Sequence, residues 1–277
     1  MKLLIVTGDD FGRSAGVNEA IAAYHAAGAL TQASLMVAES HATEAAAIAR
    51  AHPRLCVGLH LTLSAGRATQ PSALTDRHGS FTRSPAAAGL RYALDPRLRE
   101  PLRLEIRRQF EAFRALGLPP TYWDGHTHLH LHPTVFEFTL PIAREFGFRF
   151  TRLVREPCRP AILPWIFNQL SAHAQRALGG TGIGFADRVY GLRRTGRIDK
   201  PWLDKTLRAL PLGVSEIYFH PGAEGSLPPP ETLAALVRRS AASLASAATL
   251  TAFRIPPPRL RASAVLHPSP TPPKNAD

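Results

Sequence analysis

Tyr122-Trp-Asp124-Gly-His126-Thr-His128-Leu-His130-Leu-His132-Pro133 places four histidines at alternate positions within seven residues. Histidine binds metals and exchanges protons near neutral pH, so packing alone does not explain such a run. On an extended strand, side chains two apart share a face, which would align His126, His128, His130 and His132. Pro133 works against a strand of that length. The stretch reads instead as a strand, Tyr122 to Asp124, whose end releases the histidines into a loop. It predicts a divalent-metal or proton-transfer site at the carboxyl end of a strand. A histidine tag would sit at a terminus, and this run is internal.

The same arrangement recurs outward along the chain. Leu3 to Thr7 reads as a buried strand that runs directly into Asp9 and Asp10. Cys56 to Leu61 is a strand carrying His60, and Glu216 to His220 is a strand closed by His220. Helical patterns separate these strands. One starts at Ala15, with Val17, Ile21 and Tyr24 on one face and Gly28 to stop it; an alanine-rich one spans His41 to Ala51 before Pro53. Asp95-Pro96 opens a long helix with Leu98, Leu102, Ile106, Phe110 and Phe113 in one stripe, ended by Gly117. Further helices are expected over Val135–Phe146, Trp165–Leu178, Trp202–Leu210 and Leu233–Leu244. Further strands are expected over Ala33–Val37, Phe148–Val154 and Leu250–Phe253. Residues 65–95 and the glycine-broken stretch after Leu178 show no clear period.

Alternation of strand and helix in one direction predicts a parallel sheet, here an α/β irregular, TIM-like (β/α) barrel. In such a barrel the strand ends share one face, where Asp9/Asp10, His60, Asp124 to His130 and His220 would meet. The barrel domain is expected over residues 1–255, followed by a Pro-rich disordered tail over 256–277.

With 277 residues and 45% hydrophobic content, the chain can bury one large core. It carries 33 Lys+Arg against 21 Asp+Glu, a net charge of +12, which favours anionic partners. The basic residues are spread out and lack an aromatic-basic signature, so nucleic acid is not an expected partner. The two cysteines, Cys56 and Cys158, have no metal spacing and suit a reducing, cytoplasmic setting. The apolar start is too short for a signal peptide, and no run reaches the ~18 apolar residues of a membrane span.

Asp9 and Asp10 are adjacent carboxylates that resist ionising together unless a cation is near. One can bind metal while the other holds a water; alone, the pair is equally well a turn or helix cap. His60 alone would more often be a satisfied core residue. One aspartate and two histidines leave positions open on a divalent ion, as catalysis requires. His220 suits a proton donor better than a fourth ligand, provided neighbouring carboxylates raise its pKa.

Thr7-Gly-Asp9-Asp10-Phe-Gly12, Gly58-Leu-His60-Leu-Thr-Leu63, Asp124-Gly-His126-Thr-His128-Leu-His130 and Tyr218-Phe-His220-Pro-Gly222 together resemble the YdjC/ChbG-like carbohydrate deacetylases, over residues 1 to about 250. Ser34-Leu-Met-Val37, His130-Leu-His-Pro-Thr-Val135 and Asp187-Arg-Val-Tyr-Gly191 are most similar to the hopanoid-biosynthesis-associated (HpnK-like) members. The resemblance implies one divalent ion, Mg2+ or Zn2+, on Asp10, His60 and His126, with His128 a competing ligand. It implies Asp9 as general base and His220 as general acid. It also implies a basic residue near the site, Arg155 with Arg152 as competitor, and Asp187 in a substrate loop. Residues 65–95 and 156–200 are expected to build the substrate pocket.

The expected activity is removal of the N-acetyl group from an N-acetylglucosamine-type sugar, on a hopanoid glycolipid or a chito-oligosaccharide. A metal-dependent phosphohydrolase and a non-catalytic metal-binding protein are the competing readings. Trp165, among Leu163, Ile166 and Phe167 and near Arg152, Arg155 and Arg159, suits peripheral contact with an anionic inner membrane, or an ordinary amphipathic helix. A homodimer is a further open expectation.

Overall fold

The computed structural model describes residues 2–156, 161–245 and 251–252. Seven strands form one parallel sheet: β1 (Lys2–Phe11), β2 (Gln32–Leu35), β3 (Cys56–Leu61), β4 (Tyr122–Gly125), β5 (Phe150–Thr151), β6 (Arg188–Tyr190) and β7 (Gly213–Phe219). Their order is β5-β4-β3-β2-β1-β7-β6, and a two-residue β8 (Thr251–Ala252) pairs with the start of β1. The sheet curls toward closure at its short edge strands. Thr151 and Gly184 are bonded through the backbone, and Val189 N–H donates to Arg155 C=O, so irregular segments join β5 to the β6 side. This is the α/β, barrel-type architecture read from the alternation of strand and helix.

The helices are α1 (Ala15–Ala26), α2 (Ala42–Ala51), α3 (Pro85–Leu94), α4 (Arg99–Ala115), α5 (Pro133–Glu145), α6 (Ile162–Ala177), α7 (Lys200–Arg208) and α8 (Pro230–Ala245). Strand periodicity divides the side chains into two sets. Leu4, Val6, Leu59, Trp123, Ile217 and Phe219 pack against the helices in the main core. The expected α4 stripe, Leu98, Leu102, Ile106, Phe110 and Phe113, is fully buried there. The intervening residues Ile5, Tyr122, Phe150, Val189 and Tyr218 form a second, smaller apolar cluster. Thr7, Asp9, Ser34, His60, Asp124, Arg152 and Glu216 follow the same inward period and are buried too. The barrel interior is therefore filled, part apolar and part ionic.

Several boundaries differ from the sequence reading. Residues 65–95 contain α3, which begins at a proline in its first turn with the Ser84 hydroxyl accepting from Ala87 N–H. The helix expected from Asp95-Pro96 opens as a 3₁₀ turn, and α4 proper starts at Arg99. The strand expected over Phe148–Val154 is only two residues long, Phe150–Thr151, although Arg152 N–H still donates to the Trp123 carbonyl of β4. Strand β6, three residues within the glycine-broken region, is too short to show a period in the sequence. Residues 256–277 and Cys158 lie outside the described residues; Cys56 is a free thiol.

Gly58 shows how tightly β3 and β4 approach. A Cβ there would lie 2.4 Å from the Tyr122 carbonyl oxygen and 2.5 Å from its ring. Gly58→Ala should lower stability by ~1–3 kcal/mol through overpacking. Urea denaturation checks this; an unchanged midpoint would contradict the close contact.

Candidate active site

Asp9 and Asp10 both reach the site because β1 is irregular there. In a regular strand their side chains would diverge, Asp10 toward the helices. The β1–β2 register instead shifts between Gly8 and Phe11, and Asp10 adopts a left-handed backbone, φ 67°. Such a conformation costs about 1–3 kcal/mol in a non-glycine residue and is concentrated at functional sites.

Asp10 Oδ1 then lies 2.9 Å from His126 Nδ1 and 3.4 Å from His60 Nε2. Asp10 Oδ1 and His126 Nδ1 are buried, yet neither has a hydrogen-bond partner. The three residues offer ligand atoms within 4.8 Å of one another, so they could hold a metal ion. Burial opposes ionisation of Asp10, but His126 and His60 outweigh it and hold the carboxyl well below its usual range. His60 Nδ1 donates to Asp124 Oδ1 at 2.7 Å, which orients the ring with Nε2 toward Asp10. Burial disfavours the His60 imidazolium, but Asp124 and Asp9 push its pKa to about 10, so a cation entering here displaces a proton.

Asp9, His60 and Asp124 form a second cluster with metal-ligand spacing. Arg152 already supplies its cation. Its Nη1 and Nη2 donate to Asp9 at 2.7 and 2.8 Å, Nη2 lies 2.9 Å from Asp124 Oδ2, and Nε donates to Glu216 at 2.9 Å. Asp9 is thus held by a fork of two charge-assisted bonds.

The histidines turn rather than alternate. They form a 3₁₀ segment, His126–Leu131, in which Thr127 and His128 have positive φ of 56° and 58°. This backbone sends successive rings apart. His126 faces Asp10, while His128 Nε2 shares a 2.8 Å hydrogen bond with the Tyr218 hydroxyl. Burial, reinforced by Arg152, holds His128 neutral, with its pKa well below the usual imidazole value. His130 packs beneath, with Nε2 on the Arg152 carbonyl at 2.9 Å and a pKa lowered to about 4 by burial. A Cβ on Gly125 would lie 2.8 Å from His130, so the turn needs that glycine. His220 Nδ1 donates to Glu224 Oε1 at 2.8 Å. Burial opposes its charge, but Glu224, Asp9 and Asp10 raise its pKa overall.

These groups lie at the base of a cavity of about 1020 Å³, which Asp9, Asp10, His60, His126, His128 and His220 all line. Its outer wall is mainly apolar: Leu90 and Ala93 from α3, and Leu163, Ile166, Phe167 and Leu170 from α6. These come from the two segments, 65–95 and 156–200, expected to build a pocket.

The profile of YdjC-like proteins matches residues 3–252. The chain belongs to the YdjC-like family. A carbohydrate deacetylase of Brevibacillus brevis is 35% identical over 190 residues, 68% of this chain and 69% of its own. One from Mus musculus is 34% identical over 256 residues, 82% of this chain and 79% of its own. A chitooligosaccharide deacetylase of Serratia marcescens is 35% identical over 57% of this chain and 62% of its own. A solved structure from Enterococcus faecalis V583, named for cellobiose-phosphate cleavage, superposes with a TM-score of 0.66 at 20% identity, covering 91% of this chain and 97% of that one. It shares the fold.

Two residues expected near the site of this YdjC-like chain lie away from it. Asp187 is exposed at the amino-terminal side of the sheet, where its carboxylate accepts from Val214 N–H at 2.8 Å and fastens the start of β7. Arg155 bonds Gln175 and lies over the Phe185 ring; it is Arg152 that meets the carboxylates. The strand period distinguishes them, since Arg152 follows Phe150 inward. Glu216 and Tyr218 also lie on an inward period, whereas Glu224 reaches His220 through a turn that periodicity does not reveal. Arg152→Met should cost about 3–5 kcal/mol of stability by leaving three buried carboxylates without their cation. Thermal denaturation checks it; a variant as stable as the parent would refute that role.

Proposed function

We propose that this chain is a metal-dependent hydrolase that removes the N-acetyl group of an N-acetylglucosamine-type sugar, carried on a hopanoid glycolipid and reached from the cytoplasmic side. One observation carries the chemistry: a tethered carboxylate, Asp9, stands beside the Asp10–His60–His126 set in a cavity that His220 also lines. One divalent ion, Zn2+ or Mg2+, suits that donor set. When bound, it polarises the acetamide carbonyl and lowers the pKa of a water. Asp9 accepts the proton of the attacking water, in an orientation set by the Arg152 fork. His220, protonated and held by Glu224, donates to the amide nitrogen as the C–N bond breaks. Water and acetamide become acetate and an amino sugar.

The names of the relatives support the sugar-deacetylase reading. The largely apolar outer wall favours a lipid-linked sugar over a free chito-oligosaccharide. A phosphohydrolase that uses two metals fits less well, because Arg152 supplies the cation at the second cluster.

Asp9→Asn should retain bound metal and lose about 10²–10⁴-fold in acetate release from N-acetylglucosaminyl hopanoid. Comparing that lipid with diacetylchitobiose tests the substrate; acetate from chitobiose alone would overturn the lipid assignment, and acetate from neither would overturn the deacetylase.

The acid role gives a pH signature. His220 must be protonated to donate, so activity should fall as pH rises through its raised pKa. Glu224→Gln removes a negative charge that favours the imidazolium, so the alkaline limb of the pH–rate profile should move to lower pH. An unmoved limb would show that His220 is not the group titrating.

A further inference from the structure

We infer that the mouth of the cavity is a membrane-docking face, formed by α3 and α6 and seated on an anionic lipid bilayer. The inference rests on the lipid-linked substrate proposed above and names the surface that would meet the bilayer. Six large apolar side chains stand out to solvent on these two helices: Leu90 and Leu94 on α3, and Ile162, Leu163, Trp165 and Ile166 on α6, with Leu94 71% and Ile162 80% exposed. Only Leu212 is comparably exposed elsewhere among the described residues. Both helices pack against the histidine turn and α5, so the two exposed faces flank the same opening. Leu90, Leu163 and Ile166 belong to rim and cavity wall at once, making the apolar surface continuous from solvent toward the site. Exposed apolar surface of this kind marks an interaction face.

Charge selects the occupant. Residues 161–177 and 190–197 contain no acidic residue, and residues 83–98 contain one, Asp95, which Arg97 neutralises at 3.0 Å. Arg83 precedes α3 and Arg91 lies in its last turn, and exposed Arg193 and Arg194 follow Leu192 at the other side of the cavity. An apolar rim bearing Trp165 and bordered by arginines matches an interface of acyl chains and anionic headgroups. No helix among the described residues is long and apolar enough to cross a membrane, so this face would lie on the bilayer.

The test needs no sugar substrate, so its failure is separable from failure of the deacetylase assignment. The full chain is sedimented with phosphatidylcholine vesicles, with and without phosphatidylglycerol. Binding is expected with phosphatidylglycerol and should weaken as salt rises. The variant Leu94→Gln/Ile162→Gln/Trp165→Gln alters exposed positions outside the cavity wall and should keep the parent thermal midpoint. Its partitioning should fall at least tenfold. Brominated phosphatidylglycerol should quench the fluorescence of the parent and leave that of Trp165→Phe unquenched. Absence of binding, or equal binding by the triple variant, would overturn the inference. So would a parent dimer that the triple variant dissolves, since a second copy would then cover the face.

Discussion

A single guanidinium organises the interior of this barrel. Arg152, 1% exposed, faces Asp9 from β1, Asp124 from β4 and Glu216 from β7. Its own position, just past β5, ties a fourth strand to the same point. Each carboxylate would be costly to bury alone. Burial also favours the neutral forms of Arg152 and Glu216, and the mutual attraction of the group works against it. Asp9, Asp124 and Glu216 share this one guanidinium, and the adjoining Asp10–His60–His126 set could hold a divalent cation.

Asp124 couples the two halves. One oxygen accepts from His60; the other accepts from Ser34 and faces Arg152. The ring that would hold a metal is therefore oriented by the same carboxylate that helps seat the arginine. Backbone strain completes the arrangement. Asp10, Thr127 and His128 all take positive φ, and each deviation separates neighbouring side chains that a regular strand or turn would direct otherwise. Close contacts such as Gly58 against Tyr122 and Gly125 against His130 hold that backbone in place.

How much of this could be read from the residues follows from the same physics. The strands carrying Asp9, His60, Asp124 and His220 were legible because buried parallel strands appear as apolar runs and their ends as sudden polarity. The α4 stripe was legible from its helical period. The short edge strand β6 was not, since three residues among glycines have no period. Asp187 and Arg155 show the limit of local motifs: each stands in a suggestive stretch, yet the inward or outward phase of the neighbouring strand decides which side chain reaches the interior. The ion pairs of Arg152 join residues up to 143 positions apart, which no local pattern reveals.

Arg152 occupies the cationic position among Asp9, Asp124 and Glu216, and we propose a single ion site at Asp10, His60 and His126. Anomalous diffraction from crystals grown with zinc tests it most directly. One strong peak within bonding distance of Asp10 Oδ1, His60 Nε2 and His126 Nδ1 is the expected result. A peak between Asp9 and Asp124, alone or as a second site, would contradict the account.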